Sequence, residues 1–295
     1  MYTIDNINKK RRFKKIDLDC SLEIEEGYIY LFTGHDKNID ELFDILGSFT
    51  TKYNGEFLYG FEEKENVLKN PKLTNEVEFS TFLQDYNSSM KVKKYLKLKK
   101  KLSPYFDEEF ADSVLKGFAI DEFARLENLK EDYCNIVLMT AALATNKKVV
   151  LLKNFEIADR KLSLEFIDIM KKRQELIRNT ILISAPIVEE VFFDYLVLMQ
   201  NGRIKFKDSK HNILTKANVV RGPKEIITAM NYKRILTRTS DGLEDEIKMF
   251  DNINEDERIL LENNGCVIKQ LPLDELITMI EEGNYEKTVK TEVVD

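Results

Sequence analysis

The chain has 295 residues, of which 43% are hydrophobic and 33% charged, and its formal net charge is −7. This composition is typical of a globular protein that buries a full core and makes two domains. The acidic balance argues against nucleic acid as the main partner, and three distant cysteines form no metal or disulfide pattern. No apolar run reaches the roughly 18 residues of a membrane span, and the polar N-terminus lacks a signal peptide's apolar segment.

The first two thirds of the chain alternate strand and helix patterns. Residues 16–33 alternate apolar and polar side chains and turn at 25–27, which predicts a hairpin leading into a buried strand. A helix is predicted at about 39–48, and apolar stripes predict a largely helical segment over 85–146. Further strands are predicted at 149–152, 180–184, 195–199 and 203–207, with a helix at about 160–178. This alternation predicts a mainly parallel sheet covered on both faces.

The pattern changes at about residue 217. The order becomes strand, helix, strand, strand, helix, strand, which is that of a split β-α-β sheet. We therefore expect a main domain over residues 1–210, with its helical subdomain at about 85–146, and a small ferredoxin-like α+β domain over 211–285. Residues 286–295 are expected to form a tail.

The segment from Tyr30 to Gly47 has the pattern of a strand, a glycine turn and a helix start, which is the setting of a phosphate-binding loop. Such a loop, G-x-x-x-x-G-K-[ST], uses glycines to point backbone N–H groups at phosphates and a lysine to reach them. Gly34 opens the turn, but Ile39 replaces the second glycine. Asp40 and Glu41 replace the lysine and the hydroxyl. At an effective dielectric constant of about 20, the lysine ammonium and a phosphate charge 4 Å apart attract each other by about 4 kcal/mol, and a carboxylate in place of the lysine turns this attraction into a repulsion.

The order of segments in residues 1–207 resembles the ATP-binding subunit of a bacterial ABC transporter, of the kind that pairs with a separate membrane permease. The segments that carry the resemblance are 26–34, 82–84, 129–133, 146–152, 179–186 and 194–204. The resemblance implies an α/β, P-loop NTPase-like ABC ATPase fold. That fold has a mainly parallel sheet, an antiparallel N-terminal hairpin and a helical subdomain, here with a small C-terminal α+β domain. The family also implies dimerisation, because each nucleotide site combines motifs of two subunits.

Several positions that match the family's nucleotide motifs carry other residue types. The Leu-Ser-Gly-Gly-Gln signature matches residues 129–133, the Walker B Asp-Glu matches 153–154, and the switch histidine matches Pro186. An adenine-stacking aromatic and the Q-loop glutamine are matched by Phe13 and Gln84. The nucleotide-site positions singled out are Phe13, Gly34, Lys37, Ile39, Asp40, Glu41, Gln84, Lys130, Glu131, Asp132, Lys153, Asn154 and Pro186.

These departures lead us to expect a noncatalytic pseudo-ATPase, without catalytic or metal-binding residues, that binds neither ATP nor Mg²⁺. It would act as a scaffold, dimerisation partner or regulator on a membrane permease of an export or antimicrobial-peptide resistance system. It would lie at the inner face of the cell membrane. Its other partner would be a second copy or another ABC subunit. We also expect Lys153 to pair with Asp40 or Glu41, and the apolar residues among 82–98 to receive the permease.

Two alternatives remain open from the sequence. The first is an active, ATP-hydrolysing ABC transporter subunit with non-standard motifs, in which Lys37 is the phosphate-binding lysine. The second is a free-standing adaptor whose basic runs, at 9–15 and 91–101, bind RNA or anionic lipid.

Overall fold

Two compact units make up the chain. The computed structural model describes residues 1–11, 14–34, 36–80, 89–185 and 192–283. The first unit consists of Met1–Pro186 with Met199–Ile204, and the second of Ile187–Leu198 with Lys205–Asp295.

The first unit begins with three strands, and the later part of it mixes helices with further strands. Its elements are β1 (Tyr2–Arg11), β2 (Lys14–Ile24), β3 (Ile29–Thr33), α1 (Asn38–Leu46), β4 (Asn54–Tyr59), β5 (Glu65–Asn66), α2 (Pro71–Thr74), β6 (Val77–Ser80), α3 (Val92–Leu102), α4 (Glu108–Gly117), α5 (Glu131–Leu143), β7 (Val149–Leu152), α6 (Arg160–Ile177) and β8 (Thr180–Ser184). Two further strands, β9 (Tyr195–Gln200) and β10 (Arg203–Ser209), are neighbours in a sheet. The end of β9 and the start of β10 belong to the first unit, and the rest of both strands belongs to the second.

A parallel sheet forms the centre of the first unit. Its strands follow the order β3-β8-β7-β6, and each pairs with its neighbour in parallel. Every residue of β3, β7 and β8 is buried, as expected of a parallel sheet covered on both faces. The predicted mainly parallel sheet is therefore confirmed. Because the strands are parallel, the segments that follow β3, β7 and β8 leave from the same edge of the sheet.

An antiparallel sheet of order β2-β1-β4-β5 contains the N-terminal hairpin. The hairpin is formed by β1 and β2, so the predicted antiparallel N-terminal hairpin is confirmed, but residues 25–27 connect it to β3 and do not form its turn. The physical reason is that β3 is apolar throughout and needs both faces covered, which the parallel sheet provides. Gly27, with φ of 80°, makes the turn that carries the chain from one sheet to the other.

The predicted helical segment contains α3, α4 and α5. Helix α5 is buried on nearly all sides. Asp107 is the N-cap residue of α4, and its side chain accepts the N–H of Phe110. Arg173 of α6 is 2.8 Å from the Asp107 carboxylate, and its guanidinium lies 4.3 Å from the Phe110 ring centre. This contact fixes α6 to the start of α4. None of the described helices is both long and apolar enough to cross a membrane.

The second unit contains a split β-α-β sheet. Its elements are α7 (Lys210–Lys216), β11 (Ala217–Pro223), α8 (Lys224–Ala229), β12 (Ile235–Ser240), β13 (Glu244–Phe250), α9 (Glu255–Asn263), β14 (Val267–Gln270) and α10 (Leu273–Glu281). The sheet order is β12-β13-β11-β14, and every pair is antiparallel. A buried cluster that includes Val220, Ile227 and Ile247 forms its core. The element order from β11 to β14 is the one the sequence predicts.

Candidate functional site

A glycine turn connects β3 to α1. Gly34 has φ of 126°, a backbone conformation that side chains with a Cβ rarely adopt. The helix begins at Asn38, one residue before its predicted start, and its first N–H groups make a partial positive charge at this end. The turn therefore places the N-terminus of α1 next to the carboxyl end of the parallel strands.

The Asp36 carboxylate lies at the N-terminus of α1. One oxygen, Oδ1, accepts the backbone N–H of Asn38 at 2.9 Å and the Asn38 side-chain amide at 2.7 Å. The other, Oδ2, accepts the backbone N–H of Gly202 at 2.5 Å. This carboxylate thus occupies a position at which helix ends favour anions. Sequence reasoning missed Asp36, although an aspartate two residues before a helix start is a recognisable signal of this turn.

Two buried polar atoms beside the same turn lack hydrogen-bond partners within the described residues. They are Oγ1 of Thr33, at the end of β3, and Oδ1 of Asn38. Both residues are at most 5% exposed. A buried polar atom left without a partner costs about 1–3 kcal/mol, so these atoms are candidates to receive a ligand group.

One face of α1 contacts the segment that follows β7. The Lys153 ammonium is 2.7 Å from the Asp44 carboxylate. Burial raises the pKa of Asp40, and the side chains of Lys153 and Asn154, which lie near Asp40, oppose this rise. Asn154 has φ of 56°, and its N–H donates to Oγ of Ser184 at 2.8 Å. The predicted partner of Lys153 was wrong, because Asp44 lies one helical turn beyond Asp40.

The other loop positions have different surroundings. Ile39 is 6% exposed and belongs to the core. Glu41 is also buried and forms an ion pair with Lys9 of β1, so its charge is compensated from within the chain. Lys37 is exposed and precedes the first helical residue without a side-chain cap hydrogen bond. Lys37 therefore presents a cation to solvent at the helix N-terminus.

The residues that match the family signature lie at the start of α5. Lys130 is the N-cap residue, and Glu131 and Asp132 are in the first turn, where carboxylates are favourable. The Asp132 carboxylate accepts the backbone N–H groups of Ala158 at 2.8 Å and Asp159 at 3.0 Å. These hydrogen bonds connect α5 to the segment before α6, so Asp132 has a structural role here.

Several predicted positions lie outside the described residues. They are Phe13, Gln84 and Pro186 of the nucleotide motifs, and Phe82, Leu83 and Tyr86 of the predicted permease surface. Two other members of that surface, Val92 and Tyr95, are 0% and 3% exposed. The docking prediction is wrong for these two, because their apolar side chains pack in the core. No cluster of three or more His, Cys, Asp or Glu side chains suited to a metal exists among the described residues.

Comparisons with solved structures identify the fold. An ATP-binding protein assigned to cobalt transport, cbiO-2, matches over 95% of this chain and 100% of its own, with a TM-score of 0.61 and 13% identity. The cbiO1 protein of Clostridium perfringens, part of the ABC transporter complex cbiONQ, matches over 78% and 94%, with a TM-score of 0.58 and 15% identity. A dimeric ATP-binding cassette in a post-hydrolysis state, bound to ADP and Pi, matches over 71% and 98%, with a TM-score of 0.58 and 16% identity.

The chain therefore has the fold of ABC transporter ATP-binding cassettes, and the predicted fold class is confirmed. No protein-family model matches the sequence, and no curated protein does. The resemblance seen in the sequence is thus supported at the level of the fold.

The comparisons contradict two predictions. We expected a chain that is not an enzyme and that binds neither ATP nor Mg²⁺. The similar structures are ATP-binding cassettes, and one of them was solved with the products of ATP hydrolysis, ADP and Pi. The assignment as a non-enzyme and the exclusion of ATP and Mg²⁺ are therefore withdrawn. The substituted motif positions are not sufficient grounds for either.

Proposed function

We propose that this protein is an ATP-binding subunit of an ABC transporter that binds and hydrolyses ATP at a site with non-standard motifs. The proposal rests mainly on two buried polar atoms at the β3–α1 turn, Oγ1 of Thr33 and Oδ1 of Asn38. Neither has a hydrogen-bond partner within the described residues. This turn belongs to a fold shared with ATP-binding cassettes over most of their length.

The residues at the turn fit a polyphosphate. The N-terminus of α1 offers backbone N–H groups and a positive dipole end, and Lys37 offers a solvent-exposed cation. Because Asp36 accepts the Asn38 N–H, a bound phosphate group would replace its carboxylate there. Lys37 would supply the charge that the lysine of a standard phosphate-binding loop supplies.

The same end of the sheet offers oxygen atoms to Mg²⁺. Asp40 supplies a carboxylate, and Asn38 and Asn154 supply amide oxygens, which are the ligand types that Mg²⁺ prefers. Bound Mg²⁺ would neutralise charge on the transferring phosphate. Lys153 is held by Asp44 at 2.7 Å, so Asp44 compensates an ammonium that would otherwise oppose a cation at this position.

We further propose that the subunit dimerises and docks on a membrane permease at the inner face of the membrane. Support comes from similar proteins, one solved as a dimer and another described as part of a transporter complex. Its role as a scaffold or regulator of the permease would accompany ATP turnover. We retain residues 1–210 as the cassette domain and 211–285 as a separate α+β domain in this proposal.

Two measurements on the full chain test the proposal, namely calorimetric titration with Mg-ATP and release of inorganic phosphate over time. The Lys37→Met variant should raise the Kd for ATP about fivefold or more, because one ammonium near a phosphate contributes about 1 kcal/mol even in bulk-like dielectric. The matched control is Lys52→Met, at another exposed lysine of the first unit, and it should leave the Kd unchanged.

Absence of saturable binding would contradict the proposed function as a whole. Saturable binding without phosphate release would contradict its hydrolytic part. Equal effects of the two lysine substitutions would exclude Lys37 as the phosphate-binding lysine.

A further inference from the structure

Helix α3 carries an unusual concentration of one charge. Residues 91–102 contain seven lysines and no acidic residue, in a chain whose net charge is −7. Like charges three and four residues apart destabilise a helix. Such a helix therefore requires compensation from outside its own sequence.

Three of these lysines are compensated within the first unit. The ammonium of Lys99 is 2.5 Å from Glu78, that of Lys100 is 2.5 Å from Glu108, and that of Lys93 is 3.0 Å from Glu122. Lys99 and Glu78 are nearly buried, whereas the other two pairs are exposed. Lys93 and Lys100 are seven residues apart and lie on one flank of the helix, whereas Lys99 lies on its buried side.

The outward face of α3 remains uncompensated. Lys94, Lys97 and Lys101 are exposed, and none forms an ion pair within the described residues. Their spacing of three and four residues places them on one face. The opposite face, with Val92 and Tyr95, is buried and fixes the orientation of the helix.

Apolar side chains share this outward face. Leu98 is 42% exposed and Leu102 is 65% exposed, and they lie four and eight residues after Lys94. Tyr105, just beyond the helix, is 78% exposed. We call the set of Lys94, Lys97, Leu98, Lys101 and Leu102 the lysine–leucine face.

We propose that the lysine–leucine face binds directly to a membrane surface that contains anionic lipids. The ammonium groups would lie at the level of the lipid phosphates, and the leucines would enter the boundary between headgroups and acyl chains. Lysine stems are long enough to keep their charge at that level while apolar neighbours go deeper. The basic run at residues 91–101 would thus be the part of the first unit that contacts lipid.

The surroundings of α3 favour a flat anionic surface over a nucleic acid. The cleft between α3 and α4 has a volume of about 540 Å³ and is lined by Glu108, Asp112 and Glu122 as well as by lysines, among them Lys97 and Lys101 of the lysine–leucine face. A polyanion that entered this cleft would meet three carboxylates beside the lysines, whereas a flat membrane would contact Lys97 and Lys101 from outside, at the rim of the cleft. The face contains no arginine for bidentate phosphate contacts, and exposed leucines gain nothing from a phosphate backbone.

Vesicle co-sedimentation without nucleotide tests the proposal. The full chain should bind vesicles of mixed phosphatidylglycerol and phosphatidylcholine, and not vesicles of phosphatidylcholine alone. The K94E/K97E/K101E variant should lower the partition coefficient at least about a hundredfold, because each lysine near an anionic surface contributes about a factor of five and glutamate adds repulsion. The matched control K52E/K72E/K161E changes the charge equally at exposed lysines elsewhere and should bind nearly as the parent does.

The leucines have their own test. The L98S/L102S variant should reduce vesicle binding mainly at high salt, where screening has weakened the lysine contribution. Circular dichroism and the melting temperature establish that each variant is folded.

Three results would overturn the proposal. The first is failure of the parent chain to bind anionic vesicles. The second is equal loss in the α3 and control triple variants. The third is binding of single-stranded RNA that depends on Lys94, Lys97 and Lys101 while vesicle binding does not. Because no nucleotide is present, these results are independent of whether the chain binds ATP.

Discussion

The polar side chains at the starts of helices α9 and α1 form two networks, which differ in how many of their polar groups have hydrogen-bond partners. At α9, the Glu257 carboxylate accepts the Tyr232 hydroxyl at 2.8 Å, the Lys233 ammonium at 2.8 Å and the Asn254 N–H at 3.0 Å. The Asn254 side chain in turn accepts the Glu257 N–H at 2.8 Å, which completes a capping box. Each member of the α9 network thus has a partner on the same domain.

The α1 network instead leaves groups unsatisfied. Thr33 and Asn38 each bury an atom without a partner in the described chain, and burial raises the pKa of the half-buried Asp40. A network in which every polar group has a hydrogen-bond partner stabilises the fold it belongs to, whereas a buried polar atom without a partner requires an explanation, such as the site of a ligand. The contrast is the physical reason for placing the ligand at α1 and not at α9.

The largest expected effect is a loss of folding stability when the fully hydrogen-bonded α9 network is disrupted. Replacing Glu257 by Gln should lower the free energy of unfolding by about 2–3 kcal/mol, because it leaves the Lys233 ammonium, whose side chain is 10% exposed, without its counter-charge. Urea denaturation measures the change. Glu262→Gln, at an exposed position of the same helix, is the control and should change stability by at most about 0.5 kcal/mol.

The effect of Glu257 should depend on pH in a defined direction. The hydrogen bond from Lys233 holds the pKa of Glu257 below its ordinary value of 4.5. A lowered carboxyl pKa stabilises the fold above the unfolded-state pKa, and this stabilisation is lost as the pH falls through the folded-state value. The difference between parent and variant should therefore shrink in acid. A difference that stays constant down to the pH of acid unfolding would contradict the role given to this carboxylate.

A smaller loss is expected at the α1 network. Lys153→Met should cost about 1 kcal/mol, because the Asp44 side chain is 36% exposed and can be hydrated when its partner is removed. The pKa of Asp40 should rise further, since Lys153 is the charge that lowers it. Lys161→Met, which removes an exposed 3.9 Å pair with Glu165, should have no measurable effect. Equal losses in the two variants would show that the Lys153 pair is an ordinary surface contact.

The sequence predicts the second unit better than the α1 network for a physical reason. Local signals mark the starts of its helices, among them the capping residue Asn254 before α9 and Pro272 before α10. The partner of Lys153 lies 109 residues away, and a difference of one helical turn decides between Asp40 and Asp44. Asp36 could have been found from its local turn signal. The pairing of β2 with β1 could not have been found from local signals, because it depends on β3 pairing with β8 in the parallel sheet and not with β2.

The smallest expected effect is a gain in stability. Burial raises the pKa of Asp40 above its ordinary value of 3.8, so the folded chain binds this proton more tightly than the unfolded chain. The resulting stabilisation is present below the unfolded-state pKa and is lost as the pH rises through the folded-state pKa. Asp40→Asn should therefore raise stability near neutral pH by about 0.5 kcal/mol and flatten its pH dependence. Melting temperatures across a pH series provide the measurement, and a variant profile identical to that of the parent would contradict it.

Hydrogen–deuterium exchange with and without Mg-ATP tests most directly whether the unsatisfied network is the ligand site. Bound phosphate would take the N–H groups at the start of α1, so amides in residues 36–44 should exchange more slowly with Mg-ATP present. Amides of α9, whose network is already saturated, should be unchanged and serve as the internal reference. Unchanged exchange in residues 36–44 at saturating nucleotide, or protection confined to the second unit, would contradict the assignment of the site to α1.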